Sequence, residues 1–321
     1  MVNLEKVKTP SEWIKMRAEI EASVCDVLDS LPKERAELQV KTIDEIQFPG
    51  YVRRRINYFV DDFERVTAWL FVPDGRDEVP AILCCHHETP SGKDEMAGID
   101  GEPSLALALR YAEMGYVTLA PDCIAAGDRI SSGLDPYNTK GFYKDHPKMS
   151  AMGKMLIDHM HGVDALCDVK RVDTARIGVV GHGFGGHNAI MLAAFDERIQ
   201  TCVASCGFTR FGDDKEPERW ARDQGCVLMP KLKAAIAERK FTFDWEHLLA
   251  LAAPSPMLVI AALNDPVLSS PQSCEKAVRK ARKVYGLLGA SEVIECFTHR
   301  DGRRLAPEAL EMADNWFERW L

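Results

Sequence analysis

The chain has 321 residues, 46% of them apolar and 28% charged, a composition that allows a large core and excludes gross disorder. Its formal net charge of -9 excludes nonspecific binding to nucleic acid or to an anionic membrane surface, since both need a basic face. No apolar run approaches the roughly 20 residues of a membrane span, and the N-terminus, with Glu5, Lys6 and Lys8, lacks a signal-peptide core. A cytoplasmic protein is therefore expected. The ten cysteines are scattered, several within apolar strands (Cys84, Cys85, Cys202, Cys206, Cys296), and none forms a C-x-x-C pair; they read as buried, reduced thiols.

In chain order, residues 9–38 read as an amphipathic helical segment broken near Pro32. Strands follow at 51–60, 66–72, 81–85 and 117–120, the first two so close together that they imply an antiparallel entry into the sheet. Further strands at 177–180, 202–205, 257–262 and 292–297 alternate with helical patterns, which implies a mostly parallel sheet covered on both faces. Met152, Met155, Leu156, Val163 and Leu166 recur at helical spacing and read as core. Ser270-Pro271 is an N-cap and first-turn proline that open a helix to about Leu288. A last helix begins near Pro307 and turns Leu310, Ala313, Phe317 and Trp320 inward. Two long connections stand out, residues 121–148 and an insertion at about 207–256 that carries Trp220 and Trp245. The expected organisation is an N-terminal helical segment over 1–40 and one α/β domain over 41–321.

The chemistry centres on Gly181-His182-Gly183-Phe184-Gly185-Gly186. A short apolar strand, Ile177-Gly178-Val179-Val180, feeds this run, and a helix at 187–195 leaves it. Strand, sharp turn and helix form the setting of a nucleophile elbow, G-x-S-x-G, in which the nucleophile sits exposed above the sheet. Here glycine stands where the serine belongs. A dinucleotide-binding loop is the rival reading, and it fails because no acidic strand end follows at about 20 residues in a strand-turn-helix setting.

Five pieces in fixed order resemble the α/β-hydrolase superfamily, and within it the acetyl-xylan-esterase-like and dienelactone-hydrolase-like branch. They are residues 85–95 (Cys-His-His-Glu-Thr-Pro-Ser-Gly-Lys-Asp-Glu), Gly127-Asp128-Arg129, the elbow, Leu263-Asn264-Asp265-Pro266 and Thr298-His299-Arg300. The resemblance spans the chain from about residue 40 to its end. It implies an α/β-hydrolase fold, a mostly parallel central sheet flanked by helices, with the N-terminal helical segment outside it and the small insertion over the site. It also implies the order nucleophile, acid, histidine, which assigns Gly183 as the emptied nucleophile position, Asp265 as the acid and His299 as the base. The oxyanion hole would use backbone N–H groups of His87 and Phe184. Glu88, His182 and Trp220 are the candidate substrate contacts.

Two departures from that pattern matter. A carboxylate at Glu88 opposes charge developing in an oxyanion hole unless it points away or is neutralised, for which Lys93 is the nearby candidate. A metal site built on His86, His87 and Glu88 is disfavoured because adjacent residues at a strand end point to different sides, and no metal or cofactor is called for. Gly183 itself has no oxygen to attack with. Either this chain is a substituted, inactive form of an ester or lactone hydrolase with serine at position 183, or it is a natural pseudo-hydrolase that binds a small molecule or uses His299 as the base of a lyase or isomerase. The expected partner is a small ester-like molecule. A homodimer through the N-terminal segment and an arm folded onto its own domain both fit that segment.

Overall fold

The computed structural model of the chain describes residues 1–29, 37–60, 64–268 and 271–321. The expected helix break at Pro32 and the expected N-cap at Ser270 lie outside the described residues.

The strands are β1 (Val40–Phe48), β2 (Tyr51–Phe59), β3 (Arg65–Pro73), β4 (Val79–Cys85), β5 (Val117–Pro121), β6 (Val172–His182), β7 (Ile199–Ser205), β8 (Met257–Ala262) and β9 (Ile294–His299). The helices are α1 (Pro10–Leu28), α2 (Lys93–Met96), α3 (Leu107–Glu113), α4 (Lys140–Asp145) and α5 (Ala151–Cys167) in the first half. In the second half they are α6 (Phe184–Phe195), α7 (Leu232–Glu238), α8 (Trp245–Leu251), α9 (Pro271–Leu287) and α10 (Pro307–Trp320). One sheet contains all nine strands in the order β1-β2-β3-β5-β4-β6-β7-β8-β9. The β1/β2, β2/β3 and β3/β5 pairs are antiparallel, and every pair from β5/β4 to β8/β9 is parallel. This is the α/β-hydrolase fold.

Parallel strands joined by helices bury both faces, and alternate residues along each strand divide between the two sides. Leu83, Val179, Ala204 and Val259 join one core with α5, α6 and α8. Their neighbours Ile82, Val180, Val203, Leu258 and Ile260 join the other with Tyr111 of α3 and Phe317 of α10. Each such fully buried aliphatic side chain contributes about 1.5–3 kcal/mol of burial free energy.

The structure moves several boundaries: β6 spans Val172–His182 against an expected 177–180, and α6 starts at Phe184, three residues before the expected start. β1, which the sequence does not announce, is an edge strand whose residues are mostly exposed. α1 begins on a capping box in which Thr9 accepts the Glu12 N–H and Glu12 accepts the Thr9 N–H, and it ends at Leu28. β9 runs two residues later than expected, after a 3-10 turn at Ser291–Val293. His299 is therefore the last residue of the strand.

Candidate active site

Register brings the carboxyl ends of the central strands to one edge. Cys85 of β4 pairs with Gly181 of β6, His182 with Ser205 of β7, and Ala262 of β8 with His299 of β9. The corner after β6 is tight: a Cβ on Gly185 would lie 1.9 Å from the Cys85 carbonyl oxygen. Gly183 turns the corner with φ 54 and ψ -115 and stands as N-cap of α6. That left-handed φ strains an ordinary side chain by about 1–3 kcal/mol, and glycine adopts it freely.

The loop after β4 is fixed from beneath. His86 accepts the Cys123 N–H at Nε2 (3.0 Å), so its proton sits on Nδ1, 2.7 Å from the His87 carbonyl oxygen. The Tyr137 hydroxyl lies 2.9 Å from the same oxygen and accepts the Thr89 N–H at 2.9 Å. Tyr137 does this from a backbone with φ 61, a strained conformation of the kind found at functional sites.

Glu88 projects from this loop over the corner. Its Oε2 accepts the Phe184 N–H at 2.7 Å, which is the donor expected to serve the oxyanion hole. His87 Nδ1 is 2.9 Å from that oxygen, close enough to stabilise the carboxylate when it carries the proton, though the alignment is poor. Arg303 Nη2 donates to Oε1 at 2.9 Å. Burial raises the Glu88 pKa, but the His87 ring, the Arg303 charge and the Phe184 N–H outweigh it and hold the carboxyl well below its usual range. The neutralising cation is Arg303. Lys93, the candidate read from the sequence, is buried elsewhere, with Nζ 2.9 Å from Asp122 and 3.0 Å from Asp128.

Asp265 lies three residues beyond the end of β8 and His299 ends β9, and no hydrogen bond joins them among the described residues. Asp265 Oδ1 accepts the N–H groups of Val267 (2.7 Å) and Leu268 (3.0 Å), and Oδ2 accepts from Arg303 Nη1 at 3.0 Å. His299 Nδ1 accepts the Asp301 N–H at 3.3 Å, while its buried Nε2 has no partner. Arg303 thus bridges Glu88 and Asp265. His182 is buried beneath the site, its ring 5.1 Å from that of His87 and its Nδ1 2.9 Å from Ser205 Oγ, and burial pushes its pKa down to about 3.

A cavity of about 360 Å³ opens beside Glu88 and Arg303. Phe184, Trp220, Leu228, Val267 and Leu268 give it apolar walls, with Arg222 and Cys226 also in its lining. Trp220 therefore lines the cavity. Trp245 lies in the core, stacked on Phe208 at 5.1 Å between ring centres. The sequence did not single out Arg303, because its significance lies in meeting Glu88, 215 positions away. Tyr137 carried a signal only as part of a long connection suited to wall a site.

A family model described as the dienelactone hydrolase family matches residues 66–321. The chain is similar to YtaP of Bacillus subtilis (strain 168), 23% identical over 313 residues that span 95% of this chain and 100% of that protein. Among solved structures, a glucuronoyl esterase from Solibacter usitatus superposes with a TM-score of 0.75 at 16% identity, over 97% of this chain and 94% of that one. An acetyl xylan esterase from Paenibacillus sp. R4 superposes with a TM-score of 0.63 at 18% identity, over 98% and 96%. At such identities the structural likeness establishes the fold.

Proposed function

The chain belongs to the dienelactone hydrolase family, and we propose that it uses the ester- and lactone-hydrolase scaffold to bind a small molecule without acyl transfer. The observation that carries this reading is the filling of the space above Gly183. A Cβ built there would lie 2.4 Å from His87 Nδ1, 2.8 Å from Arg303 Nη2 and 2.8 Å from Glu88 Oε2. A serine at this position would have to displace a ring nitrogen and both members of an ion pair. The remaining machinery is engaged elsewhere, since the Phe184 N–H is given to Glu88 and Asp265 is given to Arg303. A hydrolase without its nucleophile keeps only roughly 10³ to 10⁴-fold catalysis over water, through binding and oxyanion stabilisation, and here the oxyanion donor is occupied as well.

The ligand is a small, largely apolar molecule of ester-like size held in the cavity beside Glu88, where Trp220 and Phe184 supply aromatic surface. The excursion 207–256 roofs this cavity through Trp220 and Leu228. No described helix is long and apolar enough to cross a membrane. A reducing, cytoplasmic setting accords with the ten cysteines, all free thiols.

A second reading, a substituted form of an enzyme with serine at position 183, is favoured by the backbone of the corner, whose φ of 54 suits an elbow. The two readings separate on Gly183→Ser, which the second expects to hydrolyse aryl esters efficiently and the first does not; in the chain as it stands both expect the ester to stay intact. Phenyl acetate titrated into the chain and followed by ligand-observed NMR is expected to show saturable binding and to be recovered intact. Phenol release above the buffer rate that disappears in His299→Ala would contradict the binding role.

A further inference from the structure

The cleft continues beyond the cavity beside Glu88. A second cavity of about 830 Å³ opens between segments 134–143 and 222–230, and Arg222 lines both cavities. Hydrogen bonds hold the walls of the second at a fixed spacing. Thr139, which is buried, donates its N–H and its hydroxyl to the Gly225 carbonyl oxygen (3.0 and 2.9 Å) and accepts the Val227 N–H at 3.1 Å. The Tyr143 hydroxyl donates to the Val227 carbonyl oxygen at 3.0 Å.

Charge is distributed unevenly along this continuous space. In the first cavity Arg219 is engaged by Asp214 (3.1 Å) and Glu216 (3.5 Å), and Arg303 by Glu88 and Asp265. Arg222 is exposed and has no carboxylate partner among the described residues. In the second cavity Lys140 is likewise exposed and unpaired among the described residues, whereas the lining carboxylate Asp223 is taken by Lys233. Asn138 Oδ1 accepts the Lys140 N–H at 3.1 Å, which leaves its amide donors over. The second cavity therefore offers two accessible cations and a surplus of donors, the surface that an anion needs. Glu88 lines the first cavity and not the second, and Arg303 neutralises it.

The number of cations chooses among anions. A phosphate monoester carries about -1.5 to -2 charges near pH 7 and three strong acceptor oxygens, whereas a carboxylate or a sulfonate carries one charge. The guanidinium fork also fits two phosphate oxygens at once. We infer that the cleft takes an organic phosphate, its apolar body against Phe184 and Leu228 in the first cavity and its phosphate with Arg222 and Lys140 in the second. This rests on the proposed ligand-binding role of the cleft and names the charge it selects.

Isothermal titration of the intact chain with phenyl phosphate, phenylmethanesulfonate, phenyl acetate and inorganic phosphate reads the preference. Phenyl phosphate is expected to bind at least about tenfold tighter than phenyl acetate or inorganic phosphate, and at least about threefold tighter than the monoanionic sulfonate. Arg222→Gln should lower the phosphate-to-acetate ratio at least about fivefold. Lys140→Gln should lower it at least about twofold with the affinity for phenyl acetate unchanged. Both side chains are exposed, so neither change threatens the fold. Phenyl acetate binding as tightly as phenyl phosphate overturns the phosphate end and leaves the binding role standing. Equal affinity for phosphate and sulfonate overturns the choice of a dianion, and inorganic phosphate matching phenyl phosphate overturns the joint use of the two cavities. A preference that survives both substitutions removes Arg222 and Lys140 from the site and overturns the assignment. No saturable binding of any probe overturns the binding role and this inference with it.

Discussion

Two clusters of charge flank the loop that follows β4, and they use similar ingredients to different ends. On one side Lys93 Nζ lies between Asp122 and Asp128, while Asp122 also accepts the backbone N–H groups of Lys93 (2.8 Å) and Asp128 (3.0 Å). Arg129 extends this cluster to Asp158 (2.6 Å) and Glu64 (2.7 Å), and Lys154 pairs with both of those acids. On the other side Arg303 joins Glu88 to Asp265 against an open cavity. The first cluster sets three cations against four carboxylates and ties three loops together. The second leaves Glu88, with 38% of its side chain exposed, facing space that a ligand can fill. An ion pair is thus a fastener where it links only segments of the fold and a recognition element where one member meets a cavity.

The contrast breaks first on stability. Asp122→Ala removes the acceptor shared by a buried ammonium and two backbone amides, and is expected to cost about 3–5 kcal/mol in urea unfolding. A loss under about 1 kcal/mol would put the fastener on a par with a surface pair.

Acid should act next, and on the cleft side. Burial holds His182 and His187 neutral, with pKa values pushed down to about 3 and about 4. Below the ordinary histidine value of about 6.5 the unfolded chain takes up protons that the folded chain refuses, so stability is complete above that pH and falls as pH drops towards 4. At about pH 5 the loss is about 2 kcal/mol per histidine. Asp244, pushed up to about 6 by burial and by Glu246, acts in the opposite sense and blunts the slope. His187→Leu should flatten the decline in melting temperature between about pH 6.5 and pH 4, and an unchanged slope would mean that the ring titrates normally.

Glu88→Gln is the smallest effect. The group is partly exposed, and loss of its charge should change stability by no more than about 1 kcal/mol, against several for Asp122→Ala. A cost equal to that of Asp122→Ala would erase the distinction between the two clusters.

The legible parts of this molecule are those that local pattern controls. The glycine run reports a corner that needs close backbone approach, and alternating strands and helices fix which strand ends share an edge, so the positions of Gly183, Asp265 and His299 follow. β1 was illegible because an edge strand with Lys41, Asp44 and Glu45 shows no buried stripe. Pairings across the fold were illegible for a different reason. Lys93 is five residues from Glu88 and looks like its partner, yet the Asp122 backbone-and-carboxylate site captures it, and Arg303 arrives from the other end of the chain.

The most direct test of a cleft that binds without acyl transfer is Gly183→Ser, assayed for short-chain aryl ester turnover and for labelling by a serine-directed phosphonate. The expected result is a folded variant at or near background in both assays, because Glu88 and Arg303 crowd the new side chain and Asp265 remains bound to Arg303. Adding Glu88→Ala should raise both signals at least about tenfold over the single variant, as two neighbours that compete for one space are coupled. Efficient turnover by Gly183→Ser alone, at the roughly 1–10³ per second of a working enzyme, would contradict this and identify the chain as a hydrolase lacking nothing but its serine.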